Sequence, residues 1–306
     1  MKFEINRLTA FAVLAMASIF GARPGFAATL PANPATIQAV LAKAKGGDTI
    51  VLAKAVYAEI GVYNHNPATG VTIDAHLATI RHMPFQYSSN FTLVGGAFGP
   101  SIYGTVTLFD SHDITVQGGA FTGAGTAAIS ISGSRRINVV GNTINGSLGD
   151  GVDIAASQYV LVQANACLGN IEGAFHPDCV QMWSIIGQPQ VSHITITGNR
   201  ARGNTQGFDL FDHGTGGGSF IDIDHNVVCT TFVWAGQVNA ATNSTMVNNV
   251  AYTLPGAVVG WAPPTWLLTG GPTDTANLVE SQGNVFNDNT NGVKPNTKGD
   301  YPPCPV

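Results

Sequence analysis

Charge is what this chain has least of: 10% of its 306 residues are Asp, Glu, Lys or Arg. Lysine is absent from Ala55 to Val293, and that span holds only Arg81, Arg135, Arg136, Arg200 and Arg202. A chain without a Lys/Arg run is a poor partner for nucleic acid or an anionic membrane surface. Long apolar runs are also missing. The longest, Leu8 to Phe20, has thirteen residues, short of the roughly 20 a membrane-spanning helix needs. The four cysteines, Cys167, Cys179, Cys229 and Cys304, follow no zinc-ligand spacing, which leaves disulfides as their expected use, with Cys304 placed to pin the C-terminus.

The short apolar run has a different use. Lys2 and Arg7 precede it and Gly25-Phe26-Ala27 follows it, the pattern of a secretory leader cleaved near Ala27. The expectation is a leader over 1–27 and one domain over 28–306, secreted or periplasmic and monomeric. Losing Lys2, Arg7, Arg23 and Glu4 with the leader leaves ten basic residues against seventeen acidic, a formal net charge of −7. Any polyanionic ligand must then be held by the few arginines, by hydrogen bonds or by a metal.

What the sequence has in abundance is self-similarity. "FTLVGG" ends at Gly96, "ITVQGG" at Gly119, "INVVGN" at Asn142 and "VLVQAN" at Asn165, each 23 residues after the last. "ITITGN" (Asn199), "IDIDHN" (Asn226), "STMVNN" (Asn249) and a weaker "ESQGN" (Asn284) continue at intervals of 34, 27, 23 and 35. Each unit is a β-branched run alternating with period two, then Gly or Asn, which tolerate a left-handed corner. One such coil buries nothing alone, but stacked coils pair in parallel at about 4.8 Å. The reading is an all-β, right-handed parallel β-helix. Ahead of it, Asn33-Pro34 precedes an amphipathic helix carrying Ile37, Val40 and Leu41, placed to cap the open end.

A second strand recurs in each coil: "AISIS" (Ala128–Ser132), "VDIAA" (Val152–Ala156), "VQMWS" (Val180–Ser184) and "FDLFD" (Phe208–Asp212). Its first and third apolar positions, Ile129/Ile131, Val152/Ile154, Val180/Met182 and Phe208/Leu210, should face the core. Alternation then turns Ser130, Asp153, Gln181 and Asp209 outward in a ladder, with Trp183 and Phe211 two positions on. Asp178 and His176 precede the third strand; Asp212 and His213 end the fourth. The corner asparagines read as structural. Asp150, in Gly-Asp-Gly, has the composition of a turn. His193 and His225 fall on corners, and His65, His76, His82 and His112 show no partner in the sequence.

"DGVDI", "HPDCVQMW" and "QGFDLFDH" resemble secreted right-handed β-helix proteins with an H-P-D-x-I-Q-F-W signature, which group with bacterial alginate lyases and mannuronan epimerases and, more distantly, pectate lyases. The resemblance implies a groove for an acidic polysaccharide around His176, Asp178, Gln181 and Asp153, and β-elimination as the reaction. His176 is then the expected base and His213 the acid. Gln181 and Arg202 would neutralise the uronate carboxylate, or Ca²⁺ held by Asp153, Asp178 and Asp209 would do so. Trp183, Phe211, Asp209 and Asp212 would line the substrate. The Tyr/Lys and Arg/Lys acid–base pairs of such lyases are absent: no lysine is near, and Tyr159 falls on a corner. A C5-epimerase would use the same groove. "GDGVDIAAS", "PDC" and "DHG" also resemble polygalacturonase motifs, without the RIK-type segment, so hydrolysis between Asp153 and Asp209 is the alternative. A non-catalytic adhesin or scaffold is the third class.

Overall fold

The computed structural model describes residues 27–169, 177–210, 216–230, 234–239, 241–254, 265–269, 285–286 and 297–298. Among the described residues, three parallel sheets of eleven, nine and eleven strands form the walls of a β-solenoid. Sheet A carries the long runs that lead to the Gly/Asn corners, sheet B the short strands just after those corners, and sheet C the second strand of each coil.

The 23-residue period sets the register. Ile114 pairs with Ile137, Ile137 with Val160, Val160 with Ile194 and Ile194 with Ile221. The register is therefore kept across the long intervals, so like side chains stay stacked. Ile129, Ile131, Val152, Ile154, Val180 and Met182 are all fully buried, as alternation requires. Each such side chain contributes about 1.5–3 kcal/mol by leaving water. Facing sheet C from across the core, sheets A and B supply the rest of a single apolar cluster running the length of the solenoid.

The helix forms at Ile37–Leu41, with Ile37 and Leu41 buried. It packs against the first strands of sheet A, Thr29–Ala32 and Thr49–Leu52. The Asn33 side chain holds its start by accepting the N–H groups of Ala35 and Thr36. Among the described residues no helix is long and apolar enough to cross a membrane.

Corners are held by two buried ladders. Asn142, Asn165, Asn199 and Asn226 each donate Nδ2 to the Oδ1 of the next asparagine, ending on Asn249, at 2.9–3.0 Å. This is the structural role expected of them. The opposite corner has a serine ladder: the N–H groups of Ser88, Ser111 and Ser134 each donate to the Oγ of the serine one coil on. Its own 23-residue recurrence is the signal for it in the sequence.

Cys167, facing inward from sheet B, is bonded to Cys179 with a Cα–Cα distance of 5.5 Å. Cys229 lies beside Arg202, which in turn pairs with Leu168, so it is two coils from Cys167 and not its partner. Cys229 is also disulfide-bonded; Cys304 is outside the described residues. Replacing both Cys167 and Cys179 by Ala should lower stability by about 3 kcal/mol, the cost of freeing a loop of this size in the unfolded chain. Chemical denaturation with and without reductant measures it. Equal stability of the variant and the oxidised parent would show that the bridge constrains nothing.

Candidate functional site

On sheet C the outward ladder forms as alternation dictates. Thr107, Ser130, Asp153, Gln181, Asp209 and Gln237 follow one another in register on successive coils. Trp183 stands beside Ala155, which stands beside Ser132. Asp153, Gln181 and Trp183 line one side of a cleft of about 340 Å³, and Asp150 lines it with them. The other side is a stack of turns, Gly125–Thr126–Ala127 and Gly149. Those turns touch: a Cβ on Gly149 would lie 2.7 Å from the Thr126 carbonyl oxygen. Only glycine lets the wall close up this tightly.

Depth departs from the expectation. The sequence pattern turns Asp178 and Asp209 toward the groove, yet both are completely buried. Cys179, bonded to Cys167, and Val180 are both buried, so strict alternation breaks here, and Asp178 is buried beside Asp209 of the outward row. Gly151 makes room, because a Cβ there would meet the Cys179 carbonyl oxygen at 2.6 Å. For Asp209, the whole strand Gln206–Leu210 is buried, inward and outward positions alike. The ladder is therefore open to solvent at Asp153 and Gln181 and covered at Asp209 and Gln237.

The buried carboxyl groups are tied to the cleft. The Asp178 N–H donates to Asp150 Oδ1 at 2.9 Å, and the Gly151 N–H donates to the Asp178 carbonyl oxygen at 2.7 Å. The Asp178 carboxyl accepts a hydrogen bond from Asp209. Burial first, and the negative charge of Asp150 second, push Asp153 up to about 8. The same two causes raise Asp178 well above the usual carboxylate range, against the opposing pull of the Asp209 hydrogen bond. Asp153 Oδ1 is buried without a hydrogen-bond partner, an arrangement a neutral carboxyl tolerates better than a charged one. The environment thus favours the protonated form of Asp153 at neutral pH, in a cleft that Asp150 also lines.

Arg202 is not part of this site. It lies on sheet B, in register with Leu168 and Cys229, and does not line the cleft. His176, Phe211, Asp212 and His213 lie outside the described residues. Asp150, read from the sequence as a turn residue, is in the cleft; its signal is its place three residues before Asp153 on the same strand entry. Among the described residues no group of three or more His, Cys, Asp or Glu is arranged to hold a metal ion. The residues present do not fit the Ca²⁺ site expected of Asp153, Asp178 and Asp209. Four histidines with no visible partner in the sequence, or on corners, pair with neighbouring carboxylates: His76 with Asp74, His82 with Glu59, His112 with Asp113 and His225 with Asp224.

A family model described as right handed beta helix region matches residues 85–251, the coils that build the cleft. The chain belongs to that family. No curated protein matches it by sequence. Among solved structures it is similar to a polygalacturonase from Erwinia carotovora ssp. carotovora, at 14% identity over 87% of this chain and 85% of that one, TM-score 0.56. It is similar also to an alginate lyase from Paenibacillus sp. str. FPU-7, at 15% identity over 85% and 95%, TM-score 0.56. The Family 28 exopolygalacturonase of Yersinia enterocolitica matches at 12% identity over 89% and 68%, TM-score 0.57. At such identities the likeness shows the right-handed β-helix fold of this family, and the chemistry must be argued from the site.

Proposed function

We propose that this β-helix protein hydrolyses a polysaccharide, with Asp153 as general acid and Asp150 as general base. The observation that carries the reading is the placement of two carboxyls, Asp150 and Asp153, in one cleft, with Asp153 pushed up to about 8 by burial first and by the charge of Asp150 second. Two such groups are the requirement for glycoside hydrolysis. Asp153 passes its proton to the glycosidic oxygen as the bond to the leaving sugar breaks. Asp150 takes a proton from the water that attacks the anomeric carbon, and that water's oxygen stays on the new reducing end. Asp178 is a positioning residue: its N–H fixes Asp150 Oδ1, and its carboxyl is fixed in turn by Asp209. Gln181 offers an amide to sugar hydroxyls and Trp183 a face for stacking on the ring. The fold of the polygalacturonases it resembles is compatible with this chemistry.

A second reading is β-elimination on a uronate polymer such as alginate, favoured by Gln181 in the cleft, whose amide can hold a carboxylate. It needs a base and an acid from His176 and His213, and it loses the help expected of Arg202. Incubation with a panel of neutral and uronate polysaccharides separates the two. Hydrolysis produces reducing ends without the ultraviolet absorbance of an unsaturated uronate. Absorbance rising with the reducing ends would overturn the proposal, and no product at all would favour an epimerase or a binding protein. Excess chelator should leave turnover unchanged, because no step uses a metal; loss restored by calcium would return Ca²⁺ to the site. The leader-like N-terminus and the Cys167–Cys179 disulfide support action outside the cytoplasm.

A further inference from the structure

The outer face of sheet C does not stop at the cleft. Toward the N-terminal coils it continues as two parallel rows of side chains. One row runs from Gln181 through Asp153, Ser130 and Thr107 to Pro84. The second runs from Trp183 through Ala155, Ser132 and Phe109 to Gln86 and Tyr63. The rows are two residues apart on each strand, about 7 Å. In the second row Phe109 is three coils from Trp183, about 14 Å away, and only the small Ser132 and Ala155 stand between the two rings. Phe109 is 42% exposed and Tyr63 48%. Tyr87, 50% exposed, meets Phe109 edge-on with ring centroids 5.6 Å apart. The aromatic rings thus frame a shallow path that a short oligosaccharide can span.

The charge along that path is one-sided. Neither row contains a basic residue. Arg135 and Arg136 open a strand of sheet A, Arg200 and Arg202 lie on sheet B, and Arg81 sits in the turn before Met83–Gln86, three coils from Asp150 in the 23-residue register. Lysine is absent from the sequence between Ala55 and Val293. At the cleft a polyuronate would set its carboxylates beside Asp150, three coils from Arg81, whereas along the two rows a neutral sugar chain meets hydroxyls, amides, carboxyls and aromatic faces, all of which suit it.

We infer that Tyr63, Tyr87 and Phe109 form a remote sugar-binding subsite continuous with the cleft, and that the chain occupying this groove is an uncharged polysaccharide, not a polyuronate. The inference rests on the proposed function for the position of the reacting bond, but not for its chemistry. Affinity electrophoresis on ice tests it, in gels containing galactomannan, xyloglucan or arabinan and in gels containing alginate or polygalacturonate. At least one neutral polymer should retard the protein, and the two polyuronates should not. A Tyr87→Asn, Phe109→Ala double variant should bind that polymer about tenfold more weakly; asparagine suits the left-handed φ of 52° at position 87. Tyr159→Ala, which removes an exposed ring from sheet A, should bind like the parent. Circular dichroism checks that the variants fold. Retardation confined to polyuronates, neutral binding unaffected by the double variant, or no retardation in any gel would overturn the inference. Reducing ends are measured separately: retardation without their release would defeat hydrolysis and leave the groove standing.

Discussion

Asp153→Asn is expected to lower turnover by about 10²–10⁴-fold, the contribution of a positioned general acid, without loss of the fold. Asparagine has the same shape and cannot supply the proton. The parent's turnover should fall as pH rises through about 8, because the active form holds the proton on Asp153. Stability should respond in the same direction for a separate reason. Between the ordinary carboxylate value of 3.8 and about 8, the folded protein keeps a proton that the unfolded chain gives up. The native state binds more protons there, so stability is fully present below pH 4, falls across this window and is flat above it. At ~1.4 kcal/mol per pKa unit the fall is on the order of a few kcal/mol; Asp178, raised in the same direction, adds to it. The Asp153→Asn variant carries no such proton and is free of that share of the fall. It should therefore melt higher than the parent at pH 8 but not at pH 4, while being far less active. Turnover within a few-fold of the parent would remove Asp153 from the mechanism, and a parent profile flat through pH 8 would remove its proton.

Asn165→Ala should be the most damaging single change to the fold. The Asn165 Oδ1 accepts both the N–H and the Nδ2 of Asn142, and its own Nδ2 donates to the Val139 carbonyl and to Asn199 Oδ1. All of these are buried. Alanine leaves the Asn142 N–H and the Val139 carbonyl without partners, at about 1–3 kcal/mol for each stranded group. A loss of ~3–5 kcal/mol in denaturant unfolding is expected on that basis. Because the ladder runs through neighbouring coils, the effect should also appear as faster amide exchange at Asn142 and Asn199. A loss under about 1 kcal/mol, the scale of a single exposed hydrogen bond, would show that the ladder merely decorates the corner.

The coils are legible because a solenoid repeats its local physics. Three equal intervals of 23 residues determine which side chains stack, and the pairs Ser130–Asp153, Asp153–Gln181 and Gln181–Asp209 fall where alternation puts them. What alternation cannot say is what lies over an outward position. Asp153 and Asp209 occupy the same row, yet one borders an open cleft and the other is sealed. Asp178 is sealed in the same way, beside Asp209; the Cys167–Cys179 bond is also out of reach, because a pairing among four cysteines cannot be deduced from spacing. Asp150 is hard to single out in the sequence because Gly-Asp-Gly is ordinary turn composition. Its role comes from a backbone N–H, that of Asp178, reached across the coil spacing. The basic residue expected at the site, Arg202, belongs to another sheet, and the histidines expected to act as base and acid lie outside the described residues.

Reaction in water enriched in heavy oxygen, followed by mass spectrometry of the products, tests the central claim most directly. If Asp150 activates water against the anomeric carbon and Asp153 protonates the leaving oxygen, each cut places one solvent oxygen on a new reducing end and none on the other fragment. The product masses then sum to the substrate plus one labelled water. Fragments that sum to the substrate alone, with no solvent oxygen on either, would mean elimination, and the carboxyl pair would not be the machinery of this site.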